Sequence, residues 1–284
     1  MILSYNVPIV IICKDRIRYL DQELKSICKT TPPSTQVFVS NDGTTKKNTL
    51  VYLTTNLLAS LSEDHPFPLD HEEWNKYIGV IPNETSAKGV LGKVNVILHP
   101  ESAGTQNLGK AVKHAFESSH AEYVIKMEDD MLCTPNWYYN LIHAISHSDC
   151  DLVSGFRYFY GKAITKPMNP FTEEVVQGYT GGQTMIASRK YYDKCPYVFN
   201  NEIKTIWDND DLWINQCRKA NLKFGVTKQS VCQHVGFVTE STQSEFTRGG
   251  TLSKIDKKLK TFVLGSEVTP MGKCNERIDG RKIN

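Results

Sequence analysis

The stretch Tyr123-Val124-Ile125-Lys126-Met127-Glu128-Asp129-Asp130 decides the fold. It begins as a short, mostly apolar run typical of a buried strand, and three adjacent carboxylates follow where that strand ends. Three neighbouring carboxylates repel one another, and a hard divalent cation such as Mg²⁺ or Mn²⁺ would offset the repulsion. The other interpretation is an acidic turn in solvent. The position after a strand favours the metal, because ligands bind at the carboxyl ends of parallel strands.

The same pattern of a strand followed by polar residues occurs twice earlier in the chain. Residues 8–13 predict a first strand that runs into Lys14-Asp15-Arg16, and residues 36–40 predict a second that runs into Asn41-Asp42-Gly43. If these strands are parallel neighbours, all three polar clusters lie at one edge of the sheet.

Helical patterns separate these strands. Apolar residues recur at helical spacing over 17–28 and 107–118, and a further strand is predicted at 94–98. Thr134 followed by Pro135 predicts the N-cap and first residue of another helix. Residues 60–92, with Pro66, Pro68 and Pro82, predict an insertion or long loop. Strands that alternate with helices predict an α/β fold around a mostly parallel central sheet.

Composition excludes several classes of protein. The 284 residues are 40% hydrophobic and 23% charged without a low-complexity tract, which excludes a disordered chain, a fibre and a small disulfide scaffold. The apolar run near the N-terminus is too short for a membrane span, so we expect no anchor and no secretory signal. Eight cysteines without a Cys-x-x-Cys pair predict reduced thiols in a bacterial or virus-infected cytoplasm.

Positive charge is concentrated at the C-terminus. Residues 248–284 carry nine Lys or Arg against four Asp or Glu, a local charge of +5 within a chain of net charge +2. A solvated tail is one interpretation, and a surface for an anionic partner such as DNA is the other. We therefore predict two regions, a domain over 1–247 and a basic extension over 248–284.

Taken together, these segments resemble the GT-A glycosyltransferases, and within them the family 2 and N-acetylglucosaminyltransferase-type enzymes. The resemblance covers roughly residues 5–240. The segments that carry it are 7–13, 40–44, 103–111, 123–130, Gly181-Gly182, 207–213 and 234–237. The expected fold is accordingly a GT-A sandwich. The metal motif departs from the family pattern, because Glu128-Asp129-Asp130 replaces Asp-x-Asp.

The resemblance implies a role for each matching residue. The residues expected to hold the nucleoside are Lys14, Arg16 and Asp42. Asp130 would bind the metal, Glu128 would lie close to the ribose or sugar, and Asp129 is grouped with the donor-binding residues. Gly181 and Gly182 would let the backbone approach the donor sugar or the acceptor. His234 would complete the metal or diphosphate site as a neutral imidazole, the alternative being a buried core histidine.

A second acidic cluster, Trp207-Asp208-Asn209-Asp210-Asp211-Leu212-Trp213, supplies candidates for a general base. An inverting transferase needs one carboxylate to take the proton of the attacking hydroxyl. The match gives Asp210 or Asp211 as that base, with Asp208 third, although an Asp or Asn there also suits a helix N-cap. Trp213 and nearby aromatic residues are either a sugar-stacking platform or core.

The implied function is a metal-dependent, inverting glycosyltransferase that uses Mn²⁺ or Mg²⁺ and a UDP-sugar donor. The acceptor is a glycan or, as in some phages, a hydroxymethylated base in DNA. Two alternatives stay open. A sugar-nucleotidyltransferase would ordinarily carry a Gly-rich basic loop after the first strand, which 13–16 lacks, and a non-catalytic protein that binds nucleotide sugars or nucleic acid would show no turnover.

Overall fold

A computed structural model gives the structure of the protein and describes residues 6–15, 17–44, 50, 52–53, 93–157, 159–200 and 209–234. The strands are β1 (Ile9–Cys13), β2 (Gln36–Asn41), β3 (Lys93–Leu98), β4 (Tyr123–Glu128), β5 (Met131–Cys133), β6 (Leu152–Ser154), β7 (Phe159–Pro167), β8 (Thr172–Thr180), β9 (Thr184–Ser188), β10 (Phe224–Thr227) and β11 (Cys232–His234). The helices are α1 (Ile17–Thr30), α2 (Thr105–Ser119), α3 (Trp137–Ser146), α4 (Arg189–Lys194), α5 (Pro196–Phe199) and α6 (Asn209–Lys219). The expected insertion at 60–92 and the basic extension at 248–284 lie outside the described residues.

Nine of the described strands form one sheet in the order β3-β2-β1-β4-β9-β6-β10-β8-β7. Strands β3, β2, β1 and β4 pair in parallel, and β6 pairs in parallel with β10. The other pairings, which involve β9 and β8, are antiparallel. Seven of the nine strands therefore point the same way, which confirms the α/β class with a mostly parallel sheet.

Helices cover both faces of this sheet, because successive residues of a strand alternate between two apolar cores. Helices α1 and α3 pack on one core, which includes Leu24, Trp137 and Ile125. Helices α2, α4, α5 and α6 pack on the other, which includes Phe116 and Trp213. The result is a three-layer sandwich, as the resemblance implied.

One local prediction is wrong. Thr134 is not an N-cap, because α3 begins at Trp137 after Asn136, which has a left-handed backbone. The hydroxyl and amide of Thr134 instead donate hydrogen bonds of 2.7 and 3.0 Å to the carbonyl oxygen of Val231. These bonds continue the pairing of β5 with β11, a contact between segments about a hundred residues apart. No local sequence pattern predicts this contact.

In the part of the chain that the structure describes, no helix combines the length and apolar character needed to cross a lipid bilayer.

Candidate active site

The carboxyl ends of three central strands meet at one edge of the sheet. The register pairs Cys13 of β1 with Asn41 of β2, and Ile12 of β1 with Glu128 of β4. The three polar clusters of the sequence follow directly after these positions. Lys14, Asp42 and the acidic turn therefore lie at the same edge, as the alternating pattern predicted, whereas Arg16 is outside the described residues.

Asp42 is a buried carboxylate that organises this edge. Its Oδ1 accepts hydrogen bonds from the amides of Ala103 and Gly104, both at 2.8 Å, and from Nδ2 of Asn107 at 2.6 Å. Its Oδ2 accepts a bond of 2.7 Å from the hydroxyl of Ser102. The carboxylate thus fixes the loop that leads into α2. A nucleoside at this residue would meet Oδ2 or the loop itself, because Oδ1 already accepts three bonds.

These hydrogen bonds determine the charge of Asp42. Burial by itself would raise the pKa of the carboxyl, but the donors from Ala103, Ser102, Asn107 and Gly104 together outweigh burial and lower that pKa below its ordinary value. Asp42 is therefore an anion at neutral pH. Nζ of the exposed Lys14 donates a 2.8 Å hydrogen bond to Oγ of Ser102. The positive charge of Lys14 therefore lies next to the hydroxyl that donates to Asp42.

Gly43 allows the loop to come this close. Its φ is +63°, a conformation in which side chains are strained, and a Cβ there would lie 2.2 Å from the carbonyl carbon of Glu101 and from the amide of Ser102. The turn after β2 therefore requires glycine for two independent reasons.

The acidic turn after β4 is buried, unlike an ordinary surface turn. Asp129 is 0% exposed and Asp130 is 1% exposed, while Glu128 is half-buried. Burial of a carboxylate away from water is unfavourable unless another charge or a set of hydrogen bonds stabilises it. The alternative of a solvated acidic turn is therefore wrong.

The glycine pair of the sequence lies beside this turn. Met127 pairs with Thr184 across β4 and β9, and the amide of Glu128 donates a 2.9 Å bond to the carbonyl of Gln183. Gly181 and Gly182 directly precede this residue, in the loop that connects β8 to β9. A Cβ on Gly181 would lie 2.6 Å from the ring of Phe156, so the backbone is closely packed there.

A second, two-stranded sheet brings His234 to the same place. Strand β11 pairs with β5 in an antiparallel register that sets His234 opposite Met131, the residue after Asp130. Buried carboxylate oxygens and an imidazole form a donor set that suits Mn²⁺ or Mg²⁺. Among the described residues no group of three or more His, Cys, Asp or Glu is placed to hold a metal, and the ring of His234 is outside the described side chains.

Helix α6 carries the candidate bases. Asp210 and Asp211 lie in its first turn, after Asn209, and the side chain of Asp211 is exposed. The side chain of Asp210 and the whole of Asp208 are outside the described residues. Trp213 is 0% exposed and packs between Tyr191 and Phe199, so it belongs to the core and not to a sugar-stacking platform.

Comparison with known proteins finds a family that is similar to part of this chain. Residues 88–213 match the family described as "Glycosyl transferase family 2". That range contains α2, the acidic turn, the glycine pair and the start of α6. This part of the chain is therefore similar to family 2 glycosyltransferases. The match confirms the resemblance at the level of the family and carries no assignment to the N-acetylglucosaminyltransferase type.

No curated protein matches the chain, but 378 chains of solved structures do. One of them is the crystal structure of residues 1–349 of TarS from S. aureus, with 14% sequence identity and a TM-score of 0.46. The match covers 78% of this chain and 57% of the TarS chain. The protein thus spans little more than half the length of that structure.

Three polar residues in the matched range were not singled out from the sequence. Ser102 and Asn107 hold Asp42, and Lys126 is a buried cation in β4 that is 2% exposed. The only sequence signal for the first two is their position around Gly104, where a loop becomes a helix. Lys126 could have been noticed as a charge inside an apolar strand.

Proposed function

We propose that the protein is a metal-dependent, inverting glycosyltransferase that moves a sugar from a UDP-sugar to a hydroxyl acceptor. One observation carries the proposal: the buried acidic turn at the end of β4, inside the range that matches family 2 glycosyltransferases, shares a sheet edge with Asp42 and directly precedes the strand that pairs with His234. Buried acids at this edge are arranged for a polyanionic ligand that arrives with a cation.

The donor site follows from the three strand ends. Lys14, Arg16 and the loop held by Asp42 would bind the nucleoside, and Glu128 with Asp129 would contact the ribose or sugar. The backbone at Gly181 and Gly182 would approach the donor sugar or the acceptor. Asp130 and His234 would hold Mn²⁺ or Mg²⁺, which when bound supplies positive charge for the leaving diphosphate.

The acceptor site involves the start of α6. Asp210 would take the proton from the attacking hydroxyl, with Asp211 and then Asp208 as the next candidates. The hydroxyl attacks the anomeric carbon on the face opposite the leaving group, so a single displacement inverts that carbon. The N-terminal turn of a helix also favours a carboxylate in its charged, proton-accepting form.

The metal assignment is tested with Asp130→Asn, because the amide keeps the size of the side chain and removes its charge. We expect UDP release from a UDP-sugar to fall by at least about 10²-fold, and UDP binding measured by calorimetry to lose its dependence on Mn²⁺. The matched control is Asp149→Asn, since Asp149 is an exposed acid that pairs only at the surface with Lys223 at 3.4 Å. Wild-type activity that is unchanged in EDTA would exclude the metal.

A screen of nucleotide sugars, with and without Mn²⁺, separates this function from its alternatives. UDP release with transfer to a hydroxyl identifies a transferase. Pyrophosphate release from a nucleoside triphosphate and a sugar phosphate identifies a nucleotidyltransferase. Tight binding of nucleotide sugar without turnover identifies a binding protein.

The acceptor class is tested in parallel with a glycan and with duplex DNA that contains hydroxymethylated bases. The net charge of +5 over 248–284 is the reason for which DNA is tested as an acceptor. If DNA is the acceptor, the logarithm of affinity should fall steeply with the logarithm of salt concentration, and removal of 248–284 should flatten that slope. If the protein does not bind duplex DNA even at low salt, the glycan is the better candidate for the acceptor.

A further inference from the structure

Lys126 is a buried lysine at the centre of the sheet, in the strand that leads to the acidic turn. Its side chain is 2% exposed, and its Nζ lies 5.1 Å from the centre of the Trp213 ring. That distance is within the range of a cation–π interaction. The contact joins β4, which ends in Glu128, to α6, whose first turn contains the candidate base Asp210.

The alternation of β4 shows which layer Lys126 faces. Ile125 and Met127 belong to the core under α1 and α3, whereas Val124 belongs to the core under α2 and α6. Lys126 shares the face of Val124, and Glu128 is the next residue along the same face. The ammonium therefore lies on the α6 side of the sheet, one pleat below the first acid of the turn.

Three other buried titratable groups of this layer carry no charge at neutral pH. Burial raises the pKa of the Tyr191 hydroxyl, and it also raises the pKa of the Cys195 thiol to about 12 and that of the Cys217 thiol still further. The cross-strand neighbours of Lys126 are Val10 and Met185, which are apolar. Acidic residues follow Lys126 at the end of β4, and further acidic residues stand in the first turn of α6.

Helix geometry places the backbone of the first turn of α6 near Trp213. Asp210 precedes Trp213 by three residues, which is less than one helical turn and about 4.5 Å along the axis. The N-terminal turn of a helix has a partial positive charge, and acids in that turn offset it. The acids in the first turn of α6 therefore favour a cation near this end of the helix.

We propose that Lys126 is a positioning residue, whose buried positive charge holds the acidic first turn of α6 close to the acidic end of β4. Without a cation between them, the two acidic segments would repel each other across the site. The catalytic consequence of this inference rests on the proposed function, whereas its structural part rests on the contact with Trp213 and on the strand register.

The test compares Lys126→Met, which keeps the length of the stem and removes the charge, with Lys126→Arg, which keeps the charge. Removal of one of several buried charges can destabilise a fold, so Lys126→Gln, which keeps a polar group, is a second neutral variant, and thermal unfolding establishes that each variant is folded. The control is Lys223→Met, which removes a surface lysine paired with Asp149. All variants are made in the full chain.

Two measurements are made on each variant. Hydrogen exchange by mass spectrometry should show amides of 209–219 exchanging about tenfold faster in both neutral variants, and within about twofold of wild type in Lys126→Arg. With donor and acceptor saturating, kcat should fall by about tenfold in the neutral variants, whereas KM for the donor should stay within about twofold.

The outcomes separate this inference from the proposed function. Unchanged exchange over 209–219 in the neutral variants overturns the positioning role, whether or not the wild type is active. Faster exchange with wild-type kcat overturns the catalytic consequence and leaves the transferase intact. A wild type that transfers no sugar from any donor overturns the proposed function, while the exchange measurement still decides the role of Lys126.

Discussion

Asp42 is a buried anion whose charge is stabilised by four hydrogen-bond donors from one loop. Asp42→Asn removes the charge and leaves a side chain that can no longer accept from every donor. We expect the free energy of unfolding to fall by about 1–3 kcal/mol at pH 7, measured by urea denaturation. Ser102→Ala, which removes one of the four donors, should lower it by about 1 kcal/mol.

The difference in stability between wild type and Asp42→Asn should change with pH in one direction. Hydrogen bonds lower the pKa of Asp42 in the folded protein, so its carboxylate contributes stability that is complete above the unfolded pKa near 3.9. That contribution is lost as the pH falls through the lower, folded pKa. The gap in stability between wild type and Asp42→Asn should therefore shrink as the pH falls below about 4. A gap that widens on acidification would contradict the assignment.

Asp210 and Asp211 are neighbours in one helical turn, so a matched pair of amide variants decides which of them is the base. Asp210→Asn should reduce transfer by about 10²–10⁴-fold with little change in donor binding, because a base acts on the acceptor. An inactive Asp211→Asn beside an active Asp210→Asn would move the base by one residue. If both variants are active, or the product retains the donor's anomeric configuration, the general-base role fails for this cluster.

Among the elements of the fold, the turn after β2 shapes the proposed donor site through its backbone. Gly43→Ala introduces a Cβ that would lie 2.2 Å from backbone atoms of residues 101 and 102, in a left-handed conformation. We expect stability to fall by about 2 kcal/mol or more and donor binding to be lost, because the loop held by Asp42 must move. The measurements are urea denaturation and calorimetry with UDP.

The control for this prediction is a second glycine with positive φ. Gly178 in β8 has a φ of +87°, and a Cβ there would lie 2.8 Å from Ala163 in the neighbouring strand β7. Gly178→Ala should also destabilise the protein, but the β7–β8 pair lies at the other end of the sheet from β2. Donor binding by Gly178→Ala should stay unchanged. Equal loss of binding in both variants would show that instability alone explains Gly43→Ala.

The sequence predicted the parallel half of the sheet because each strand there is a short apolar run between a helix and a polar turn. The predicted strand at 94–98 and helix at 107–118 correspond to Lys93–Leu98 and Thr105–Ser119. The antiparallel strands β7 and β8 were not predicted, because they form one edge of the sheet and their exposed residues, such as Ile164 and Val176, break the alternation.

The site was predictable to the same degree as its strands. Buried acids after β4 follow from one segment, so their position at the sheet edge could be foreseen. The pairing of β5 with β11, which brings His234 to Asp130, joins distant segments and depends on three-residue strands too short to recognise. The contact of Lys126 with Trp213 is likewise a tertiary contact, and only the complete fold shows it.

At the scale of the whole molecule, the fold buries most of the described thiols, and the rate at which these thiols are modified can report on donor binding. Of the seven cysteines in the described residues, all but Cys28 are buried, and burial raises the pKa of Cys28 to about 12 and of Cys150 to about 11. Thiols of this kind react with a disulfide reagent only when the fold opens, because the reactive species is the exposed thiolate. At pH 8 at most one of these seven cysteines should therefore react rapidly in the native protein, and all seven should react in guanidinium; Cys274 is outside the described residues.

A donor that binds only the folded protein should slow the protected phase of this reaction. At a free donor concentration of about 100 times Kd, with Mn²⁺ present, the opened population falls about a hundredfold, equivalent to about 2.7 kcal/mol. The protected thiols should therefore react about a hundredfold more slowly, and Asp130→Asn should abolish this effect of donor and Mn²⁺ while leaving the rate without ligand similar. The measurement is the rate of thiol modification, followed by absorbance and assigned by mass spectrometry. Rapid reaction of two or more of the seven described thiols in the native protein would contradict their buried environment, and equal slowing in Asp130→Asn would remove Asp130 from the proposed donor site.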